Sequence, residues 1–151
     1  MKMIAMRYAE MLLCTTLAAM PAMATDRPDI ELRLVVPCAA GDAGLTLQGS
    51  GENLCLSHDL ILGTSDIIKA GLVDRSEFGN AVRIFFGSDA QARFFAVTTA
   101  NVGQRIAIVV DGTLVTAPVV RDPINSDRLE ISGLTDEAAL TLVTKLNTPK
   151  K

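Results

Sequence analysis

The stretch RIAIVVDGTLVTA, residues 105–117, decides the fold of this chain. Residues 105–110 are almost continuously apolar and β-branched, which predicts a strand. Asp111-Gly112 is a residue pair that favours a two-residue hairpin turn. Residues 113–117 then return as the partner strand, and Pro118 limits how far this partner stays paired on both sides. A β-hairpin is therefore the most strongly predicted unit of the fold.

Further strands and helices are predicted on both sides of this hairpin. Apolar patterning predicts strands over 30–36, 54–62, 80–86 and 128–132, of which 54–62 is the weakest. A short helical turn is expected over 63–72, and longer helices over 88–101 and 135–146. Ser88 and Gln91 form a capping-box pattern, and Thr135 is a second cap. The order predicts one α+β domain with an antiparallel or mixed sheet and both longer helices on one face.

The composition excludes several classes of function. The 151 residues carry 14 Lys and Arg against 17 Asp and Glu, a formal net charge of −3. Binding to nucleic acid or to an anionic membrane requires a basic surface, which this balance does not supply. There is no Trp, and the only Tyr is Tyr8. Surfaces that stack aromatic side chains on bases or sugars are therefore not expected.

The first 24 residues have the three-part layout of a secretory signal peptide. Lys2 and Arg7 precede a short apolar run at 11–20, and small residues follow at 21–24. The apolar run is shorter than the roughly 20 residues that cross a bilayer. We expect cleavage after Ala24, export to the periplasm or beyond, and a mature chain without a membrane span.

The predicted mature chain is a single domain, 25–147, with a polar tail at 148–151. Two cysteines remain in it, Cys38 and Cys55. In an oxidising compartment such a pair indicates one disulfide, which closes a Gly-rich loop and contributes roughly 3 kcal/mol. The alternative, a redox pair, lacks both a C-x-x-C motif and a nearby basic residue.

No catalytic residue, metal ligand or cofactor site is predicted. Ser57, His58 and Asp59 contain the residue types of a catalytic triad, but successive residues of a strand face opposite sides, so His58 would face away from Ser57 and Asp59. His58 is the only histidine, so a zinc site is not expected. The acidic residues around the turn at 122–130 lack calcium-loop spacing. Neither Gly-rich phosphate-binding motif occurs.

The helix predicted over 88–101 has apolar residues on two sides. Its inward stripe comprises Ala90, Phe94, Val97 and Thr98. The other side presents Ala92, Phe95, Ala96 and Thr99. A neighbouring helix that covers this side is the simpler interpretation. The alternative is an exposed apolar patch that contacts a partner protein.

From residue 94 onward the sequence follows a recognisable pattern. Its blocks are FFAVTTANVGQRIAIVVDG at 94–112, TAPVV at 116–120, ISG at 131–133 and TDEAALTLVTKL at 135–146. These blocks resemble the head subdomain of the first periplasmic domain of SecD and SecDF, accessory subunits of the protein-export translocase. Residues 30–35 and 62–70 resemble the same subdomain, so the resemblance covers nearly the whole predicted mature chain. Ser126-Asp127 departs from the Gly-Gly of the family.

The resemblance implies an exported, non-enzymatic binding module that contacts unfolded or envelope polypeptides. Its matching residues are turn, cap and strand-end positions, so a fold transfers more safely than a function. Two alternatives remain open at this point. One is a small periplasmic enzyme or enzyme inhibitor without a recognisable motif, and the other is an accessory subunit of an envelope complex.

Exported protein is expected to begin at Thr25, because the small residues at 21–24 match the positions that signal peptidase reads. Mass spectrometry of the protein recovered from the periplasm measures this directly. Retention of Met1, or a lipid on Cys14, would contradict the prediction.

Overall fold

The computed structural model describes residues 29–74 and 80–148. Within these ranges the chain forms nine strands, two α-helices and one turn of 3-10 helix at Thr64–Asp66. The strands are β1 Ile30–Val36, β2 Leu45–Thr46, β3 Asn53–Leu56, β4 Leu62–Gly63, β5 Ile67–Val73, β6 Ala81–Phe86, β7 Ile106–Val110, β8 Thr113–Thr116 and β9 Arg128–Ile131. The helices are α1 Ser88–Ala100 and α2 Asp136–Asn147. The predicted signal peptide, residues 1–24, lies outside the described residues.

The strands form two sheets, and their pairings are antiparallel. The larger sheet has the order β2-β3-β1-β7-β8, with β4 also paired to β1. The two ends of this sheet meet, because the Gln48 amide donates to the Leu114 carbonyl at 2.9 Å and Leu47 bridges Leu114. The smaller sheet has the order β5-β6-β9. The predicted α+β class is confirmed, but the one sheet that we expected is divided into two.

Strand β7 is buried on both faces. Ile106 and Ile108 belong to the main hydrophobic cluster, to which β1, β5, β6, β9 and both helices contribute. Ala107 and Val109 belong to a second cluster with side chains of β3 and β8. A strand that is covered on both sides has no polar face, which explains why residues 106–110 are continuously apolar. Both helices bury side chains in the main cluster, on the same side of β7.

The turn between β7 and β8 has the predicted two-residue form. Asp111 has φ 49° and Gly112 has φ 78°, and Val110 pairs with Thr113 directly across the turn. Positive φ at both positions is typical of the type I′ hairpin, whose twist matches the strands. Asp111 also accepts the Asp29 amide on its side chain at 2.9 Å, which joins the turn to the start of β1.

The single strand predicted over 54–62 is wrong, because the chain leaves the sheet and returns. β3 and β4 both pair with the same edge of β1, and residues 58–60 loop out between them. The guanidinium group of Arg33, on β1, donates to the carbonyls of Ser57 and His58 and so stabilises the excursion. Backbone groups that leave the ladder are thereby satisfied by a side chain.

Two helix predictions also need correction. The helical turn expected over 63–72 is confined to Thr64–Asp66, and Ile67–Val73 is strand β5, paired along its length with β6. Pairing with β6 and burial of Ile67 and Ala70 outweigh the local helical signal. Ser88 does not cap α1, since Gly87 occupies the N-cap position without a side-chain hydrogen bond. The Thr135 cap of α2 is confirmed, because its hydroxyl accepts the Ala138 amide at 3.2 Å.

The predicted disulfide is present and joins Cys38 to Cys55, 17 residues apart. Inside its loop, Gly44 passes directly over β3 with φ +64°. A Cβ atom at Gly44 would lie 2.7 Å from the carbonyl oxygen of Leu54. Glu52, in the same loop, joins it to Arg105, the residue before β7. One guanidinium nitrogen of Arg105 donates to both carboxylate oxygens of Glu52, at 2.9 and 3.0 Å. Crosslink and ion pair thus hold the loop against the larger sheet.

Gly44→Ala is expected to destabilise the fold more than Gly49→Ala does. Both glycines have positive φ, which costs an alanine about 1–2 kcal/mol. Only Gly44 lacks space for the methyl group, since nothing lies within 4 Å of a Cβ at Gly49. We expect at least about 1 kcal/mol of additional loss at Gly44 from overpacking. Urea unfolding of the two oxidised variants measures the difference, and equal midpoints would contradict the close approach.

Candidate binding surfaces

The three residues of the triad type do not form a catalytic site. The Ser57 hydroxyl donates to the backbone carbonyl of Asp59 at 3.1 Å, and both His58 and Asp59 are exposed. Across residues 29–74 and 80–148, no group of three or more His, Cys, Asp or Glu side chains could hold a metal ion. In the same ranges, no helix is long and apolar enough to cross a membrane.

One cleft of about 460 Å³ lies between the β7–β8 turn and α2. Apolar side chains such as Val115 and Leu142 line it, and Asp111, Glu137 and Lys145 lie along its walls. No histidine or cysteine is among its lining residues, and the Thr135 hydroxyl is used as the cap of α2.

The outward side of α1 is an exposed apolar surface. Ala92, Phe95, Ala96 and Thr99, which we call the α1 patch, are all exposed, and Phe95 is 40% accessible to solvent. The expected covering helix does not reach them, since α2 packs on β5 and β6. The opposite side of α1 buries Ala90, Phe94 and Thr98, as the predicted stripe required. Val97, the fourth residue of that stripe, is partly buried.

A buried hydroxyl fixes the position of α1. Thr98 is fully buried and donates to the Phe94 carbonyl at 2.9 Å. The same oxygen accepts the Ile124 amide at 2.9 Å, which holds the segment before β9 along the helix. The Thr98 hydroxyl also lies 3.1 Å from the Phe95 carbonyl, so it joins two backbone groups of α1 to the segment before β9.

An ion pair ties α1 to the 3-10 turn. Arg93 donates to one oxygen of Asp66 at 2.7 Å, and the Gly63 amide donates to the other at 2.9 Å. Burial of Asp66 raises the pKa of its carboxyl, but the hydrogen bonds from Arg93 and Gly63 outweigh this effect, so the pKa lies below its ordinary value. The charged form of Asp66 is therefore the form that stabilises the fold.

The outer edges of the smaller sheet are capped by side chains. On β5, the Ala70 amide donates to Asn147 Oδ1 at 2.9 Å, and Asn147 Nδ2 donates to the Ala70 carbonyl at 2.8 Å. On β9, the Ser126 hydroxyl accepts the Arg128 amide at 3.2 Å and donates to its carbonyl at 2.9 Å. Sequence reasoning missed Asn147, because no local pattern connects two residues that are 77 positions apart.

Comparison with known proteins decides the family. Residues 42–149 match the family model described as the SecDF P1 head subdomain. The chain belongs to this family. The match includes α1, the β7–β8 hairpin and α2, the elements that carry the resemblance in the sequence.

Relatives of the SecDF P1 head subdomain include subunits of the protein translocase. The chain is 37% identical over 123 residues to protein translocase subunit SecDF of Thermus thermophilus, covering 72% of this chain and 17% of that protein. It is 40% identical over 70 residues to protein translocase subunit SecD of Acetobacter pasteurianus, covering 46% and 13%. The chain thus spans less than one fifth of either relative. These relatives are translocase subunits and not enzymes, in agreement with the non-enzymatic role expected from the sequence.

Solved structures support the same relationship. One neighbour, a membrane component SecDF that enhances protein export, has a TM-score of 0.64 at 27% identity. The match covers 80% of this chain and 62% of that one. A second neighbour, SecDF in a super-membrane-facing form, has a TM-score of 0.59 at 29% identity, covering 82% and 20%.

Asp66→Asn is expected to destabilise the fold at neutral pH but not in acid. Because the folded-state pKa of Asp66 is lowered, its contribution is present above the unfolded-state pKa and is lost as the pH falls through the folded-state value. Arg93 is half exposed, so we expect a loss of about 1 kcal/mol at most near pH 7. Urea unfolding at neutral pH and at a pH well below 3.8, the ordinary pKa of an Asp carboxyl, tests this.

The matched control for this measurement is Asp127→Asn, which removes an ion pair with Arg128 in which both side chains are about half exposed. Its effect on stability should be small at either pH. A loss at Asp66 that persists or grows in acid would contradict the assignment.

Proposed function

We propose that this SecDF P1 head subdomain is an exported, non-enzymatic binding module that contacts unfolded or envelope polypeptides through the α1 patch. The family supports a role in protein export, since the relatives are translocase subunits. The signal-peptide pattern at 1–24 supports a location in the periplasm or beyond, where such polypeptides emerge.

The exposure of Phe95 carries this proposal. A large apolar side chain that remains 40% accessible is not fully used by the core. Its neighbours on the helix, Ala92, Ala96 and Thr99, are small, so a partner chain can approach the helix backbone closely. Aromatic side chains in such surroundings commonly contribute most of the binding energy at an interface.

The chemistry of the α1 patch favours an unfolded partner. Unfolded chains expose the apolar side chains that folded proteins bury, and these match an apolar surface with few charges. Arg93 lies on α1 beside the patch, but its guanidinium is already paired with Asp66. A partner recognised here is therefore selected by apolar contact more than by charge.

Phe95→Ala is expected to weaken the capture of an unfolded polypeptide while leaving the fold intact. The probe is reduced, carboxymethylated α-lactalbumin, which stays unfolded in neutral buffer. We expect at least fivefold weaker binding, measured by titration calorimetry with the chain that begins at Thr25. Because Phe95 is partly exposed, the free energy of unfolding should fall by only about 1 kcal/mol.

Leu60→Ala is the matched control, because Leu60 is 47% exposed and belongs to the excursion between β3 and β4, outside the α1 patch. This variant should bind the probe as the wild type does. Equal binding by both variants would contradict the proposal. A loss of about 3–5 kcal/mol in Phe95→Ala would also contradict it, since that cost is typical of a core phenylalanine.

A further inference from the structure

We infer that the outer edge of β5 binds an extended polypeptide as an added strand, and that Asn147 occupies the central position of this site until the polypeptide displaces it. The inference rests on the proposed function, since it names a second contact for the same class of partner. It concerns backbone recognition, whereas the α1 patch recognises side chains.

The hydrogen bonds of Ala70 show which backbone groups of β5 point away from β6. Its N–H and C=O both bond to Asn147, so both point away from β6, with which β5 pairs. In an antiparallel pair the outward groups recur at every second residue. Leu72 therefore also presents its N–H and C=O outward, while Gly71 between them faces Arg83 of β6. No residue in the described ranges supplies a hydrogen-bond partner to these outward N–H and C=O groups of Leu72.

The side chain of Asn147 shows which ligand this edge accepts. A primary amide carries one C=O acceptor and an N–H donor, the same two groups that one residue of an antiparallel neighbouring strand would supply through its own C=O and N–H. Asn147 makes both bonds at 2.8 and 2.9 Å, so Ala70 is already in the geometry of a strand with a neighbour. One residue of an incoming strand would replace these two bonds with two equivalent ones.

The position of Asn147 makes its displacement easy. It is the last residue of α2, where the helix carbonyls lack partners and the backbone opens most readily. Moving the side chain therefore leaves the buried part of α2, at Ala139, Leu142 and Leu146, in place. The Asn147 side chain thus protects the edge of β5 against non-specific strand pairing. A strand that competes with Asn147 for the backbone groups of Ala70 can still bind there.

Apolar side chains flank this edge and could hold alternate residues of the added strand. Leu72 is 44% exposed on β5. On α2, Leu140 precedes Asn147 by seven residues and Val143 precedes it by four, which places all three on one side of the helix. Leu140 is 56% exposed. Backbone bonds give affinity in strand addition, and such side contacts give preference for apolar sequences.

The other sheet edges are less suited to this role. The ends of the larger sheet meet at Leu47 and Leu114, so they are closed by the chain itself. On β9, the cap comes from Ser126, only two residues from the Arg128 that it bonds, and a local turn of this kind is not released by helix fraying. Arg128 and its partner Asp127 add charge to that edge, which disfavours pairing with another strand.

Asn147→Ala tests the inference, with Asn101→Ala as its matched control. Asn101 directly follows α1 as its C-cap, close to a helix end as Asn147 is, but its amide donates to the Val97 carbonyl of its own helix. The probe is a soluble nine-residue peptide of alternating Thr and Val with a terminal fluorophore. We expect about tenfold tighter binding to Asn147→Ala than to the wild type, because two competing hydrogen bonds are removed. Asn101→Ala should bind as the wild type does.

A backbone-specific control uses the same peptide with alternate amides methylated. N-methylation removes the donors of one edge and retains the side chains, so binding to Asn147→Ala should be abolished for at least one of the two methylation registers. Asn147→Asp, which keeps an acceptor for the Ala70 amide and loses the donor, should fall between the wild type and Asn147→Ala. Equal affinities across the Asn147 and Asn101 variants, or full binding by both methylated peptides, would overturn the inference.

Hydrogen exchange locates the bound peptide. The Ala70 amide should exchange faster in Asn147→Ala than in the wild type, while Gly71 stays protected by β6, and added peptide should restore protection at Ala70. Protection elsewhere without protection at Ala70 would overturn the inference. If Phe95→Ala weakens polypeptide capture and Asn147→Ala has no effect, the inference fails and the proposed function stands. If the peptide binds at Ala70 but Phe95→Ala leaves polypeptide capture unchanged, the inference stands and the proposed function through the α1 patch fails.

Discussion

The burial of β7 on both faces is the constraint on which the rest of the structure depends. Ile106 and Ile108 require a core on one side, and Ala107 and Val109 require a second cluster on the other. β1 pairs along one edge of β7 and β8 along the other, so the strand has no exposed side. The disulfide loop and the short strands β2 and β3 cover the second cluster, which explains why so irregular a segment is crosslinked.

This constraint also determines where the domain can bind partners. The larger sheet uses its faces for burial and joins its ends through Leu47 and Leu114. The exposed apolar side chains that the two proposals use, Leu72, Phe95 and Leu140, lie on the smaller sheet and on the helices that cover the main cluster. α1 is fixed from its inner side by Thr98, which leaves Phe95 on the outer side, and α2 is fixed by its buried leucines, which leaves Leu140 exposed.

A domain that contacts unfolded chains, as we propose for this one, must avoid pairing with copies of itself. Edge strands are the usual route to such pairing, and here side chains occupy the outward backbone groups of Ala70 and Arg128. The two caps differ in their origin, because one is local and the other comes from the far end of α2. A cap from a helix terminus can respond to a competing strand without disturbing the core.

The sequence by itself determined the features that depend on a few adjacent residues. The Asp111-Gly112 turn, the strands beside it, the Thr135 cap and the family resemblance were all predictable, because turn φ values, caps and apolar patterning act locally. The two cysteines also predicted their own crosslink, since no other cysteine remains in the predicted mature chain.

Only the tertiary structure decided the division into two sheets, the break between β3 and β4, the strand at 67–73, the exposure of Phe95 and the bond between Ala70 and Asn147. Each depends on which surfaces meet after the chain has folded. The apolar pattern of α1 predicts two apolar sides of the helix, but it does not indicate which of them a neighbouring element covers. Ala70 and Asn147 are brought together only because α2 packs against β5, and no local signal spans the 77 residues between them.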